Sequence, residues 1–172
     1  ANQLRDAGHS FTNALIDAAC TRLRPILMTG ASTVLGAMPL VLANPPGLYD
    51  PAPNGYSHIA MVAPGSRLIL IAGQGGEDEA EMLSPDFRAQ VRQALRNLQI
   101  ALTAAGVAFG DVAKLTVLIV DHDHDKLKIF GSELQRAWAS NALKPACTLI
   151  PVVRLALDGM LFEIEATAIA AA

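Results

Sequence analysis

Ser57-His58-Ile59-Ala60-Met61-Val62-Ala63-Pro64-Gly65-Ser66-Arg67-Leu68-Ile69-Leu70-Ile71-Ala72 is the stretch that decides the fold. Two strand-like apolar runs flank Ala63-Pro64-Gly65-Ser66, a turn, so a β-hairpin is predicted. Gly73-Gln74-Gly75-Gly76 ends its second strand, and Glu77 to Glu81 is an acidic loop. Downstream, Ser84 is placed to cap a helix with Pro85 in its first turn. Phe87, Val91, Leu95, Leu98, Leu102 and Ala105 mark its apolar stripe, and Gly106 closes it. Leu115 to Val120 reads as a buried strand. Leu127, Phe130, Leu134 and Trp138 recur at helical spacing. Cys147 to Val153 and Leu161 to Ile169 are the last two strands, turning at Asp158-Gly159. The order β-β-α-β-α-β-β implies an α+β domain with two helices packed on one face of a mixed sheet. The other face is left apolar, which points to burial between subunits.

The 172 residues leave room for one domain and little more. Formal net charge is -3, which argues against nucleic acid as a partner, because phosphate binding needs clustered Lys and Arg. Two cysteines, Cys20 and Cys147, lie far apart in the sequence and form neither a disulfide framework nor a metal spacing, so a reducing, cytoplasmic setting is expected. The first twenty residues are polar and show no secretory signal.

Upstream of the breaker cluster Asn44-Pro45-Pro46-Gly47 the chain changes character. Leu4, Ala7, Phe11, Leu15 and Ala18 give an amphipathic helix ending near Arg22, and Pro25 to Ala43 then runs without a charge. That run is long enough to cross a bilayer, and it also reads as a buried helix broken by Gly30, Gly36 and Pro39. The first forty-three residues carry three Arg against two Asp, while the remainder carries ten basic and fourteen acidic residues. ANQLRDAG, ALIDAACTRLRPILMTG and LGAMPLVLA resemble resistance-nodulation-division efflux pumps. The domains expected are therefore 1–43, an efflux-transporter-like helical fragment, and 44–172. The fragment lacks the other spans and the proton-relay carboxylates of a pump. It is expected to be a fusion remnant or, alternatively, a membrane tether.

Asn54-Gly55-Tyr56-Ser57-His58, Ile71-Ala72-Gly73-Gln74, Gly110-Asp111-Val112, Pro145-Ala146 and Glu163-Ile164-Glu165-Ala166, taken in order, resemble the RidA/YjgF family from about Gly47 to Ala170. The resemblance implies a chorismate-mutase-like fold, a homotrimer and a small-molecule ligand in clefts between subunits. It also implies hydrolysis of enamine/imine intermediates to 2-oxo acids and ammonia. By the same resemblance Glu163 is the catalytic acid that positions water, and Tyr56, Gly73 and position 147 line the substrate cleft. Active members carry an arginine after Pro-Ala, whose planar fork suits a carboxylate. Here Cys147 stands in its place and Ala72 replaces a frequent serine. A non-catalytic binding or regulatory member is therefore the alternative. The ribonuclease or translation-inhibitor role of some relatives fits the acidic charge poorly.

Plainer readings stand beside these. Glu163 reads also as a strand carboxylate paired with Arg154 or Lys114, Tyr56 as a packing residue, and Gly73 as a strand-end glycine. Cys147 reads as an inert buried thiol, since no cation or helix N-terminus is in view to activate it. Asp121-His122-Asp123-His124-Asp125 offers metal-ligand types, but acids at a strand-to-helix junction suit the helix N-terminus. Gly73-Gln74-Gly75-Gly76 lacks the lysine and spacing of a phosphate loop. No motif points to a cofactor or metal.

Overall fold

The computed structural model describes residues 39–138 and 144–171. The elements are β1 Leu40–Ala43, β2 Ile59–Val62, β3 Arg67–Gly75, α1 Phe87–Ala104, β4 Val112–Val120, α2 His124–Trp138, β5 Ala146–Val152 and β6 Phe162–Ala170. Four strands make a mixed sheet in the order β3-β6-β4-β5, antiparallel except for the parallel β4–β5 pair. β1 and β2 form a separate antiparallel ribbon.

Alternation in the strands sorts the two faces. Leu115, Val117 and Ile119 of β4 and Phe162, Ile164, Ala166 and Ala168 of β6 are buried with the helices. α1 contributes Val91, Leu95, Leu98 and Leu102 at helical spacing, and α2 contributes Phe130, Leu134 and Trp138. The Phe162 ring meets Phe87 edge-on at 6.0 Å and Phe130 at 5.5 Å, joining both helices to the sheet.

Gln90 and Glu133, buried on this side, are satisfied. Fully buried Gln90 donates to the carbonyls of Ser84 and Gly159 and accepts from the Leu161 N–H, pinning α1 to the chain before β6. Glu133 of α2 receives Arg88, Arg92 and Arg136 at 2.6, 2.9 and 2.9 Å, which clamps α2 to α1. Burial pushes the Glu133 carboxyl up, but bonds from Arg92 and Arg88 and the charge of Arg136 outweigh it and hold the group below its ordinary value.

The structure corrects several expectations. The chain does turn at Ala63–Ser66, yet β2 pairs with β1 and β3 pairs with β6, so the two runs are not a hairpin. Leu40–Ala43, expected as the end of an apolar helix, supplies the pairing edge that β2 uses. The compact unit accordingly begins at Pro39. The amphipathic helix before Arg22 and most of the apolar run from Pro25 lie outside the described residues. Among the described residues, no helix is long and apolar enough to cross a membrane. β5 and β6 do not pair around Asp158-Gly159, because β4 lies between them. The cap of α1 is Asp86, whose side chain accepts the Ala89 N–H at 2.8 Å; Ser84 instead accepts the Asp86 N–H. Leu127 is exposed rather than part of the α2 core stripe. Gly106 does close α1: its φ of +76° is the left-handed conformation that glycine adopts without strain.

Candidate functional site

On the face of the sheet away from the helices, Glu163 and Glu165 follow each other at the strand period. A β-bulge between Ile71 and Gln74 shifts the register of β3 against β6, so that Gln74 pairs with Ile164 and Gly75 with Glu163. The bulge brings Gly73 against the Glu163 side chain. A Cβ at Gly73 would stand 1.8 Å from Glu163 Oε1, so glycine is required there for the carboxyl to occupy its place. Gly73 thus works by making room for the acid.

Beside Glu163 on β4 is Leu118, which belongs to a satellite apolar cluster with Val120, Leu155 and Met160. That cluster dries one side of the carboxyl. Burial, then the like charges of Glu165 and Glu77, push Glu163 above the ordinary glutamate value. The expected ion pairs do not form. Arg154 binds Asp158 at 3.1 Å, and the Lys114 ammonium donates to Thr148 Oγ1. Among the described residues no hydrogen bond or ion pair engages the Glu163 carboxyl, which leaves it free to handle a proton. Further along the same strand an open groove of about 400 Å³ is lined by Leu70, Ala72, Lys114, Thr116, Glu165 and Thr167; Glu163 and Gly73 are not among its lining residues.

Cys147 is elsewhere. It pairs in register with Leu115, a core residue, and packs with Leu149 against the helix-side core. From the strand spacing it lies about 14 Å from Glu163, two strands across and three residues along, on the opposite face. Within the chain, positions 147 and 163 therefore do not line a common cleft, contrary to expectation. Burial pushes the Cys147 thiol up to about 11, with Lys114 acting weakly the other way, which suits an inert thiol. Tyr56 sits near the start of β5, since its neighbour Ser57 bridges Ala146 and donates to the Lys144 carbonyl at 2.6 Å. Its ring packs edge-on against Tyr49 and His58. The structure thus brings Gly73 and Glu163 together, while Tyr56 lies with Tyr49 and His58 and Cys147 packs against the core.

The Asp121–Asp125 cluster serves the helix. Asp123 accepts the Lys126 N–H at 2.7 Å, and that bond holds its carboxyl below the usual range. Among the described residues no group of three His, Cys, Asp or Glu is placed to hold a metal ion. Sequence reasoning missed Glu77, which looked like one acid of a solvated loop. Its Oε2 is buried without a partner beside Gly75. The signal available was the glycine spacing: Gly73 and Gly75 stand on one side of the strand and leave two gaps for side chains.

Comparison with known proteins bears on both parts of the chain. A family model described as Endoribonuclease L-PSP matches residues 49–170, and one described as AcrB/AcrD/AcrF family matches residues 1–49. A RutC family protein of Pyrococcus horikoshii is 33% identical over 120 residues, covering 68% of this chain and 90% of its own length. The 2-iminobutanoate/2-iminopropanoate deaminase of Salmonella typhimurium is 32% identical over 103 residues, covering 59% of this chain and 79% of its own. The crystal structure of YyfB from Yersinia pestis, a protein of unknown function of the conserved Rid family, superposes with a TM-score of 0.71 at 33% identity. It covers 76% of this chain and 98% of its own.

Proposed function

The chain belongs to the RidA/YjgF family, whose model carries the endoribonuclease L-PSP description, and from that premise we propose that it hydrolyses imines to carbonyl compounds and ammonia. The observation that carries this reading is Glu163: a half-buried, unpaired carboxyl seated on Gly73, with its proton affinity raised. The reaction needs a group that can give and take a proton next to the imine nitrogen and the attacking water. As water adds to the imine carbon, the C=N π pair moves to nitrogen and Glu163 donates its proton there. Glu163 takes back one proton of the added water, leaving a neutral carbinolamine, and gives it to the amino nitrogen. The C–N pair then leaves with nitrogen as ammonia, and the hydroxyl proton goes back to Glu163. Imine and water become carbonyl and ammonia, and the acid is restored.

The substrate class differs from that of arginine-bearing relatives. Cys147 offers no charge, and the groove carries Glu165 beside Lys114. A charge-assisted pair to a carboxylate is worth about 1.5–3 kcal/mol, so its loss weakens binding of 2-imino acids. The same acids repel phosphate, which disfavours RNA. Imines without a carboxylate lose nothing at such a site.

We place the chain in a homotrimer with this face between subunits. Leu68 and Leu70 are exposed there at 58% and 74%, as is Ile150 at 41%. A neighbouring copy is then what brings further groups toward Glu163, while Cys147 stays on the helix side of its own sheet. Cytoplasmic work fits an unpaired Cys147.

The test is decay of enzymatically generated 2-iminobutanoate and of an imine lacking a carboxylate, with purified protein in catalytic amount. Turnover of the second faster than the first supports the reading, and decay of neither above background overturns it. The second reading, a binding or regulatory member, is favoured by the missing arginine. It predicts a ligand-induced rise in Tm with no substrate consumed.

A further inference from the structure

Gly75 lies two residues along β3 from Gly73, and its gap is filled by a carboxyl as well. A Cβ at Gly75 would stand 2.2 Å from Glu77 Oε2. Residues two apart on a strand are separated by about 6.6 Å, so two carboxyls occupy neighbouring gaps on one side of β3. Glu77 is held in place from three directions. Asn97 of α1 donates to the carbonyls of Gly75 and Glu77 at 3.1 and 2.9 Å. Gly76 abuts Gln90, and Glu77 itself bridges Leu83 in a short antiparallel contact.

Glu77 Oε2 is nevertheless buried with no hydrogen-bond partner. An unsatisfied carboxylate oxygen out of water is costly, and a second negative charge nearby adds to the cost. A proton on Glu163 removes one of the two charges. Its carboxyl has no hydrogen-bond or ion-pair partner among the described residues and lies on the sheet face away from the helices, so it is the one that carries the proton to a substrate.

We infer that Glu77 is a positioning residue for Glu163, the second carboxylate that fits Glu163 to act as proton donor to the departing nitrogen. This rests on the imine-hydrolysis reading and adds no reactant to it. Glu163 gives a proton to nitrogen as water adds, regains one from the added water, gives it to the departing amine, and is reprotonated from the hydroxyl as the carbonyl forms.

The charged surroundings of Glu163 are few. On its own strand Glu165 is solvent-exposed, so water and salt screen its charge. β3 presents only glycine there, and β4 presents Leu118; Lys114 lies further along, level with Thr167. Beyond the satellite cluster, Arg154 and Asp158 pair with each other. Glu77 is the neighbouring charge with a buried oxygen.

The experiment is a carboxyl ¹³C NMR titration of Glu163 in the full chain and in Glu77→Gln and Glu77→Ala, read without substrate. The expected result is a Glu163 midpoint above the ordinary glutamate range that moves to lower pH in both variants. Glu165→Gln moves it less, and less still at high salt. In the imine assay the alkaline limb of the rate profile moves the same way, with a rate about tenfold lower at neutral pH. A midpoint unmoved in both Glu77 variants, or moved only by Glu165→Gln, overturns the inference. Because the titration needs no turnover, it decides the part of Glu77 separately from whether imines are hydrolysed.

Discussion

The two faces of the four-stranded sheet use the same alternation to opposite ends. Toward the helices, two buried polar side chains are fully partnered, Gln90 by three backbone groups and Glu133 by three arginines. Away from the helices, Glu163 has no ion pair and Glu77 has an oxygen with no donor. Satisfied polar groups specify a packed arrangement, whereas unsatisfied ones hold energy that a substrate can release. The comparison therefore assigns stability to one face and chemistry to the other, and substitutions should separate along that line.

The largest structural effect expected is at Gln90. Gln90→Leu keeps the volume but strands the Leu161 N–H and two carbonyls, costing about 3 kcal/mol in urea unfolding. Glu133→Gln comes next at about 2 kcal/mol, below the value for a fully enclosed pair because its arginines reach solvent. The sign with pH is set by the lowered Glu133 value. Its stabilisation is present above the unfolded glutamate value and is lost as pH falls through the folded one, so the wild type should lose more on acidification than Glu133→Gln does. Glu163 has the opposite sign: its value is raised, so its contribution is present at low pH and fades as pH rises through the folded value. The smallest effect is at Cys147. With a thiol pushed up to about 11, its labelling by a disulfide reagent should be slow at neutral pH and accelerate toward pH 11. Fast labelling at pH 7 would move Cys147 out of the core and blur the comparison.

Local patterns in the sequence carried much of this. The stripes Phe87–Leu102 and Phe130–Trp138 predict both helices, and apolar runs predict β3, β4 and β6, because these depend on near neighbours. Pairing was not legible. Ala63–Ser66 turns the chain without joining β2 to β3, and β5 lies parallel to β4 although a turn leads from it toward β6, because partners are chosen by distant strands. At the site, Glu163 and Gly73 came from family resemblance, and the structure supplies their mutual contact. The facing of Cys147 was within reach: Cys147 and Leu149 alternate with exposed Thr148 and Ile150, which puts the thiol on the core side. For Glu77 the Gly73/Gly75 spacing signalled only a gap; which side chain fills it depends on Asn97 and Met160, both distant in sequence.

The most direct measurement compares imine decay by the wild type and Glu163→Gln at equal concentration of folded protein. The account predicts a loss of at least a hundredfold, about 2.7 kcal/mol or more in transition-state stabilisation, with Tm unchanged or raised. Equal rates in the two proteins would contradict it and remove Glu163 from the chemistry.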